Sequence, residues 1–202
     1  MRIMTTPISR RSLFGTIGAA AAVLFIAGCS TAAPTPAESA ADQSLITELG
    51  FEGMSAKDII TELDTLPVAE RSTQLMASIR PAELILMDAT KREAAVPMPA
   101  DEFYVSVAPY VSQTHDCHFH SLTTCRGELA NQDVAVTVTN DKTGEVLVEE
   151  SLRTYDNGFM GLWLPRGIDA TLTLGFDGKS ATQSLSTKGN DDATCVTTAN
   201  LS

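Results

Sequence analysis

"VAVTVTNDKTGEVLVEESL", residues 134–152, alternates apolar and polar side chains on both sides of a polar, glycine-containing centre at Asn140–Gly144. Alternation with period 2 gives an extended chain one apolar face, and the polar centre supplies a turn, so the stretch reads as two strands joined in a hairpin. The pattern continues downstream. "YDNGFMGLWL" (155–164) runs through a turn at Asn157-Gly158, and "DATLTLGFDGKSATQSL" (169–185) gives two more short strands around Asp177-Gly178. Upstream, "FYVSVAPYV" (103–111) alternates in part. Turn signals spaced by roughly ten residues predict a small antiparallel sandwich or barrel over residues 99–202. Phe159, Trp163 and Phe176 are expected in its core or lid.

Residues 44–98 follow a different pattern. Ser55-Ala56-Lys57-Asp58 resembles a capping box, and Ile59, Ile60 and Leu63 are spaced for one face of the helix it would start. Pro67 is expected to open a second helix, with Val68, Leu75, Met76 and Ile79 as its packing stripe and Pro81 as its end. Leu84–Met87 is a continuous apolar run that suits either a buried strand or a short helix, because periodicity does not separate the two. "VPMP" at 96–99 marks the boundary. The expected fold class is therefore α+β: a helical amino-terminal region followed by a small antiparallel β-sandwich or barrel-like domain.

The beginning of the chain reads as an export signal. Arg10 and Arg11 precede an apolar run from Leu13 to Ile26, broken only by small residues, and Ala27-Gly28-Cys29 follows. The run falls short of the roughly 20 apolar residues that a membrane-spanning helix needs. "IAGC" (26–29) resembles a lipobox, which would remove residues 1–28 and leave Cys29 as the lipid-modified first residue. "SRRSLF" (9–14) loosely resembles a twin-arginine motif. Residues 29–43 are small, polar and proline-containing, a composition suited to a tether and unable to bury a core. The expectation is an exported lipoprotein that faces the extracytoplasmic side and meets the membrane through its lipid alone. With 25 acidic residues against 14 basic ones, and a formal charge of −11, the surface repels polyanions. Nucleic acid is accordingly excluded as a partner.

The chemistry concentrates in "HDCHFHSLTTCRGEL", residues 115–129, which carries all 3 histidines and two of the 4 cysteines. Setting Cys29 aside leaves Cys117, Cys125 and Cys195, an odd number that cannot be paired completely within one chain. An unpaired thiol outside the cytoplasm needs a metal, a redox partner or deep burial to protect it. Thiolates favour Cu(I) or Zn(II) and imidazoles serve copper, zinc and nickel, while the few carboxylates nearby disfavour calcium and magnesium. Structural zinc usually takes closely spaced cysteine pairs, whereas seven residues separate Cys117 from Cys125. A low-coordinate thiolate site therefore points to Cu(I), with zinc as the alternative. A stabilising disulfide with the histidines idle, or a thiol activated by a histidine base, also fits the residue types. The second lacks any recognisable oxyanion hole. Met54, Met76, Met87, Met98 and Met160 are too dispersed for a methionine copper run and read as core filler.

"CHFHSLTTCRGEL", with a further cysteine near the carboxyl end, resembles the motif of the CueP family of exported copper-resistance proteins. The helical first half and strand-rich second half, roughly residues 44–200, are compatible with that family. The resemblance implies that Cys117, Cys125 and Cys195 are the family's three thiols, with His120 in the matching "FHSLTTC" core. His118 and His115 rank below it as additions of this sequence. It also implies copper sequestration, engagement of the thiol-redox machinery, transfer to a copper-accepting envelope enzyme, an ancillary Cu(II)-reductase activity and a dimer built through the helical half. A cell-envelope interaction module stabilised by the metal or by a disulfide is the competing reading.

Overall fold

The computed structural model describes residues 40–202. The expected signal peptide, the Cys29 lipidation point and residues 29–39 of the expected tether lie outside the described residues. The last part of that tether, from Ala40, is already helix α1 (Ala40–Glu48).

Helix α2 (Ala56–Thr65) starts where the sequence places it. Ser55 Oγ accepts the Asp58 N–H at 3.3 Å and Asp58 Oδ2 accepts the Ser55 N–H at 3.0 Å, a reciprocal capping box. Ile59, Ile60 and Leu63 are buried on one face, as their spacing predicts.

Beyond α2 the expectation of a second helix gives way. Val68–Glu70 makes one 3₁₀ turn, and the chain then forms a three-stranded antiparallel meander of β1 (Leu75–Ile79), β2 (Glu83–Asp88) and β3 (Glu93–Pro97). The physical reason is the period. Leu75, Ala77 and Ile79 are buried alternately while Met76 stands 46 % exposed, so the stripe follows period 2 rather than 3.6. Met76 is accordingly not core filler. Leu84 and Leu86 face the same core as those residues, which resolves the apolar run as strand.

The second half forms two further sheets. Strand β4 (Glu102–Val107) pairs antiparallel with β7 (Met160–Pro165) and parallel with the short β10 (Cys195–Val196). Strands β5 (Asp133–Asn140), β6 (Val146–Arg153), β8 (Asp169–Phe176) and β9 (Lys179–Ser186) form a four-stranded antiparallel sheet in the order β6-β5-β8-β9. The hairpin that opens the sequence reading is β5–β6, and Asp177-Gly178 turns β8 into β9 with both residues at positive φ. Val134, Val136 and Val138 of β5, Leu172 and Leu174 of β8, and Phe103, Val105 and Leu162 of the smaller sheet fill one shared core. A separate core holds α1, α2 and the β1–β3 sheet together with Tyr104 and Leu122. The fold is thus α+β with a sandwich-like second half, and one parallel pairing, β4–β10, departs from the antiparallel expectation.

Candidate metal centre

Residues 108–132 connect β4 to β5 without forming a strand, and the histidine–cysteine stretch lies within them. Backbone hydrogen bonds fix this segment in place. The Ile79 N–H donates to the His120 carbonyl at 2.8 Å and the Leu122 N–H to the Ala77 carbonyl at 2.9 Å, so the segment runs beside β1. The N–H groups of Thr194 and Cys195 both donate to the His118 carbonyl, at 3.0 and 3.1 Å. Glu128 Oε2 accepts from the main-chain N–H groups of Val111 and Ser112, at 2.6 and 2.9 Å, and closes the loop on itself. Further on, the Gly127 N–H donates to the Asn157 carbonyl at 2.7 Å. The backbones of Gly127 and Gly158 approach so closely there that a Cβ on Gly158 would lie 2.5 Å from the Gly127 carbonyl oxygen.

These constraints gather the cysteines. Cys117 and Cys125 come from the loop, and Cys195 returns from the far end of the chain on β10, whose parallel pairing sets Cys195 opposite Ser106. All three are free thiols. Together with Ala108 and Phe159 they make a small apolar cluster of their own, in which Cys125 and Cys195 are buried and Cys117 is half-buried. The Sγ atoms of Cys117 and Cys125 are 3.5 Å apart, and Cys195 Sγ lies 3.6 Å from His120 Nδ1. Two sets of ligand atoms each lie within 4.8 Å of one another: His120, Cys125 and Cys195, all buried, and His115, Cys117 and Cys125, more exposed. Cys125 belongs to both.

His120 is fully buried between Phe159, at 4.6 Å between ring centroids, and the buried carboxylate of Asp64 on α2. Its Nε2 stands 3.5 Å from Asp64 Oδ1, an ion-pair separation too long for a good hydrogen bond. Asp64 is held by the Tyr104 hydroxyl, which donates at 2.6 Å, and by Asn157 Nδ2 at 2.9 Å. Burial opposes charge on both partners, yet the mutual attraction and these hydrogen bonds leave Asp64 below the usual carboxylate range and His120 above the usual imidazole value. The His120 main-chain N–H donates to Thr194 Oγ1 at 3.0 Å, and that hydroxyl donates to the Ile79 carbonyl at 2.7 Å. Thr194, directly before Cys195, thereby ties the histidine to β1.

The three thiols titrate as one group. Hydrogen bonds from Cys117 and Cys195, against the cost of burial and with help from His120, drive the Cys125 thiol far down. The same contact with Cys125 pushes Cys117 up to about 12, and the contacts with Cys117 and Cys125 together with burial push Cys195 far up. Ionisation of the cluster is thus drawn towards Cys125, while protons are held on Cys117 and Cys195. Near it the half-buried Arg71 donates from Nη1 to the Cys125 carbonyl at 2.9 Å.

Of the histidines, His118 is exposed and its Nε2 is engaged with the Asp191 carbonyl at 2.9 Å, outside both ligand sets. His115, ranked low from sequence, belongs to one of them. Asp64, Thr194 and Arg71 escape the sequence reading because an acid in a helix, a threonine before a strand and an arginine after a turn carry no local signature. Their significance arises only from what they meet.

A protein-family model described as "Periplasmic copper-binding protein CueP" matches residues 58–200. The chain belongs to the CueP family. The crystal structure of S.CueP is similar over its whole length, with a TM-score of 0.74 and 34% sequence identity, covering 82% of this chain and 100% of that one. The curated proteins contain no match. The match to the CueP model takes in α2 from Asp58 onwards with Asp64, the histidine–cysteine segment and β10 with Cys195. Among the described residues, no helix is long and apolar enough to cross a membrane.

Proposed function

We propose that this chain, as a member of a family of periplasmic copper-binding proteins, sequesters Cu(I) in the pocket formed by Cys117, Cys125 and Cys195, with His120 beside them. The observation that carries this reading is the return of Cys195 on β10 to within 4.8 Å of Cys125 and His120. Sulfur and imidazole are soft or borderline donors, and a cluster of three sulfurs in an apolar cage suits a low-coordinate soft ion. The same four donors form a Cys3His set that also suits zinc, which stays the alternative, whereas calcium or magnesium would want oxygen. His118 is the least favoured of the expected ligands, since its Nε2 is engaged elsewhere. Competition for Cu(I) against a calibrated chelator tests the reading. The wild-type chain should bind one tightly held Cu(I), and Cys125→Ser should lose at least about 100-fold in affinity, as expected for a removed ligand whose mere supporting groups are worth 10–100-fold. An undiminished affinity in Cys125→Ser would exclude the site.

A redox reading is supported by the 3.5 Å separation of two reduced sulfurs, Cys117 and Cys125. With Cys125 drawn towards thiolate, closing that pair into a disulfide releases the Cys117 proton and two electrons, which reduce two Cu(II) to two Cu(I). Cys195 would remain as a reduced sulfur that holds the product once it gives up its proton, and an external thiol-redox protein would have to restore the pair. Mixing reduced protein with Cu(II) distinguishes the readings: thiol loss in step with Cu(I) formation marks a reductase, and constant thiol content marks a store. Lipid anchoring at Cys29 is supported by "IAGC", and mass spectrometry of the amino-terminal peptide from a membrane fraction tests it. Delivery of copper to an envelope enzyme and dimerisation are supported by the family resemblance.

A further inference from the structure

The sulfur pocket with His120 leaves one imidazole of the cluster without a role. His115 is half-buried, packs edge-on against Phe159 with ring centroids 6.2 Å apart, and has a buried Nε2 with no hydrogen-bond partner among the described residues. A polar atom so placed carries a desolvation cost that nothing in the protein offsets. Its ligand atom lies within 4.8 Å of both Cys117 Sγ and Cys125 Sγ. A trigonal ion with bonds of about 2.3 Å holds its ligands roughly 4 Å apart, so side-chain adjustment alone would close this set. The second set, His120, Cys125 and Cys195, has the same span and is entirely buried, while His115 and Cys117 are half-buried. A cleft of about 360 Å³ lined by Gln113, Thr114, His115 and Glu128 opens at His115. Two overlapping ligand sets at different depths, sharing Cys125, describe a path rather than a single point.

We propose that His115, Cys117 and Cys125 form an outer copper position, at which an incoming Cu(I) is first held and from which it moves inward by exchanging His115 for Cys195. The proposal rests on the reading of the sulfur pocket as the Cu(I) site. In the exchange the bond from copper to the His115 nitrogen breaks and a bond to Cys195 Sγ forms. The Cys195 thiol gives up its proton to solvent through the cleft of about 240 Å³ that Cys117, His118 and Cys195 line. Copper stays Cu(I) throughout, and the bond to Cys125 is never broken. The direction is inward because thiolate is the softer donor and a soft ion prefers it to imidazole.

Cu(I) competition titrations on four chains test this: wild type, His115→Phe, Cys195→Ser and the double variant. Phenylalanine keeps a ring against Phe159 and removes both nitrogens. With the inner position intact, His115→Phe should leave the equilibrium affinity within about 2-fold. Cys195→Ser should retain Cu(I) more weakly, with two sulfurs and one nitrogen around the metal by X-ray absorption. Adding His115→Phe to it should cost at least about 10-fold more. Transfer of Cu(I) from a chelator, followed by stopped flow, should slow by about 10-fold in His115→Phe with the other residues intact. Equal affinities for Cys195→Ser and the double variant would overturn the outer position. A loss of the same size in both backgrounds would overturn it too, because His115 would then be a ligand of the resting site. Should wild type bind Cu(I) no better than Cys125→Ser, the sulfur-pocket reading itself falls. Unfolding midpoints of the four metal-free chains control for misfolding, and Cys195→Ala repeats the test if serine is not tolerated in the buried position.

Discussion

Cys125 is the residue on which the chemistry turns. Its thiol is the one driven down within the cluster and its sulfur is common to both ligand sets, so it is the donor most readily ionised for copper. Cys117, pushed up to about 12, and Cys195, pushed further, are thiols at neutral pH and must lose their protons to bind. Binding through all three sulfurs should therefore release about two protons per Cu(I), and affinity should rise by about 100-fold per pH unit near neutrality. The sign follows from the raised values: lowering the pH holds both protons in place and weakens binding. Measuring affinity against a pH-corrected chelator standard at several pH values checks the slope, and a slope near zero would mean that only Cys125 is engaged. Asp64 makes a second case at this scale. Asp64→Ala strips a buried carboxylate from His120 and leaves the Tyr104 hydroxyl and the Asn157 amide without their acceptor. Removing one partner of such a buried network should destabilise the fold by about 3–5 kcal/mol, read from the urea midpoint.

At the scale of elements, the site is a loop held down on both sides. Its shape depends on the contact of Gly127 with Gly158, where Gly158 also sits at a φ of 78° that disfavours any side chain. Gly158→Ala should cost about 1–3 kcal/mol from the backbone conformation alone, before the steric conflict with Gly127 is counted. Because the turn carries Asn157 and Phe159, Cu(I) affinity should fall with it, and a variant of unchanged stability would refute the close approach. The strands β1 to β3 show how an element can be misread without its burial being misread. Leu75, Ile79, Leu84 and Leu86 are apolar in the sequence and buried in the fold, but a stripe of Val68, Leu75, Met76 and Ile79 satisfies a helical template only by including Met76, which is exposed. The strand reading leaves Met76 out and accounts for Ala77. Capping residues before α2 made that helix legible; no comparable signal stands before Leu75.

For the whole molecule, the site sits where separately organised parts meet. Asp64 comes from α2, His120 bonds to β1 through its carbonyl, Cys195 comes from β10 on the smaller sheet, and Phe159 comes from the turn before β7. A ligand that grips the loop sulfurs and Cys195 together cross-links residues remote in sequence, and it binds the folded chain in preference to the unfolded one. Free Cu(I) at about 1,000 times its dissociation constant should raise the unfolding free energy by about 4 kcal/mol. Thermal or urea unfolding with and without metal checks this, and Cys125→Ser should cut the gain to about 1.4 kcal/mol or less. Equal stabilisation in that variant would place copper elsewhere on the protein.

The sequence by itself determined the α+β class, the capped helix α2, the strands β4 to β9 and the identity of the chemical cluster. Each of these has a signal that is local: a period of 2 or 3.6, a cap, a turn residue, or histidines and cysteines within a dozen positions. Tertiary structure alone decided that Cys195 joins Cys125, that Asp64 and Thr194 support His120, that His118 is engaged elsewhere and that His115 is not. Those are contacts between residues remote in sequence: Thr194 reaches Ile79 across 115 positions and Asn157 reaches Asp64 across 93. They are set by how β10 pairs with β4 and how the loop lies beside β1, and neither a composition nor a period contains them.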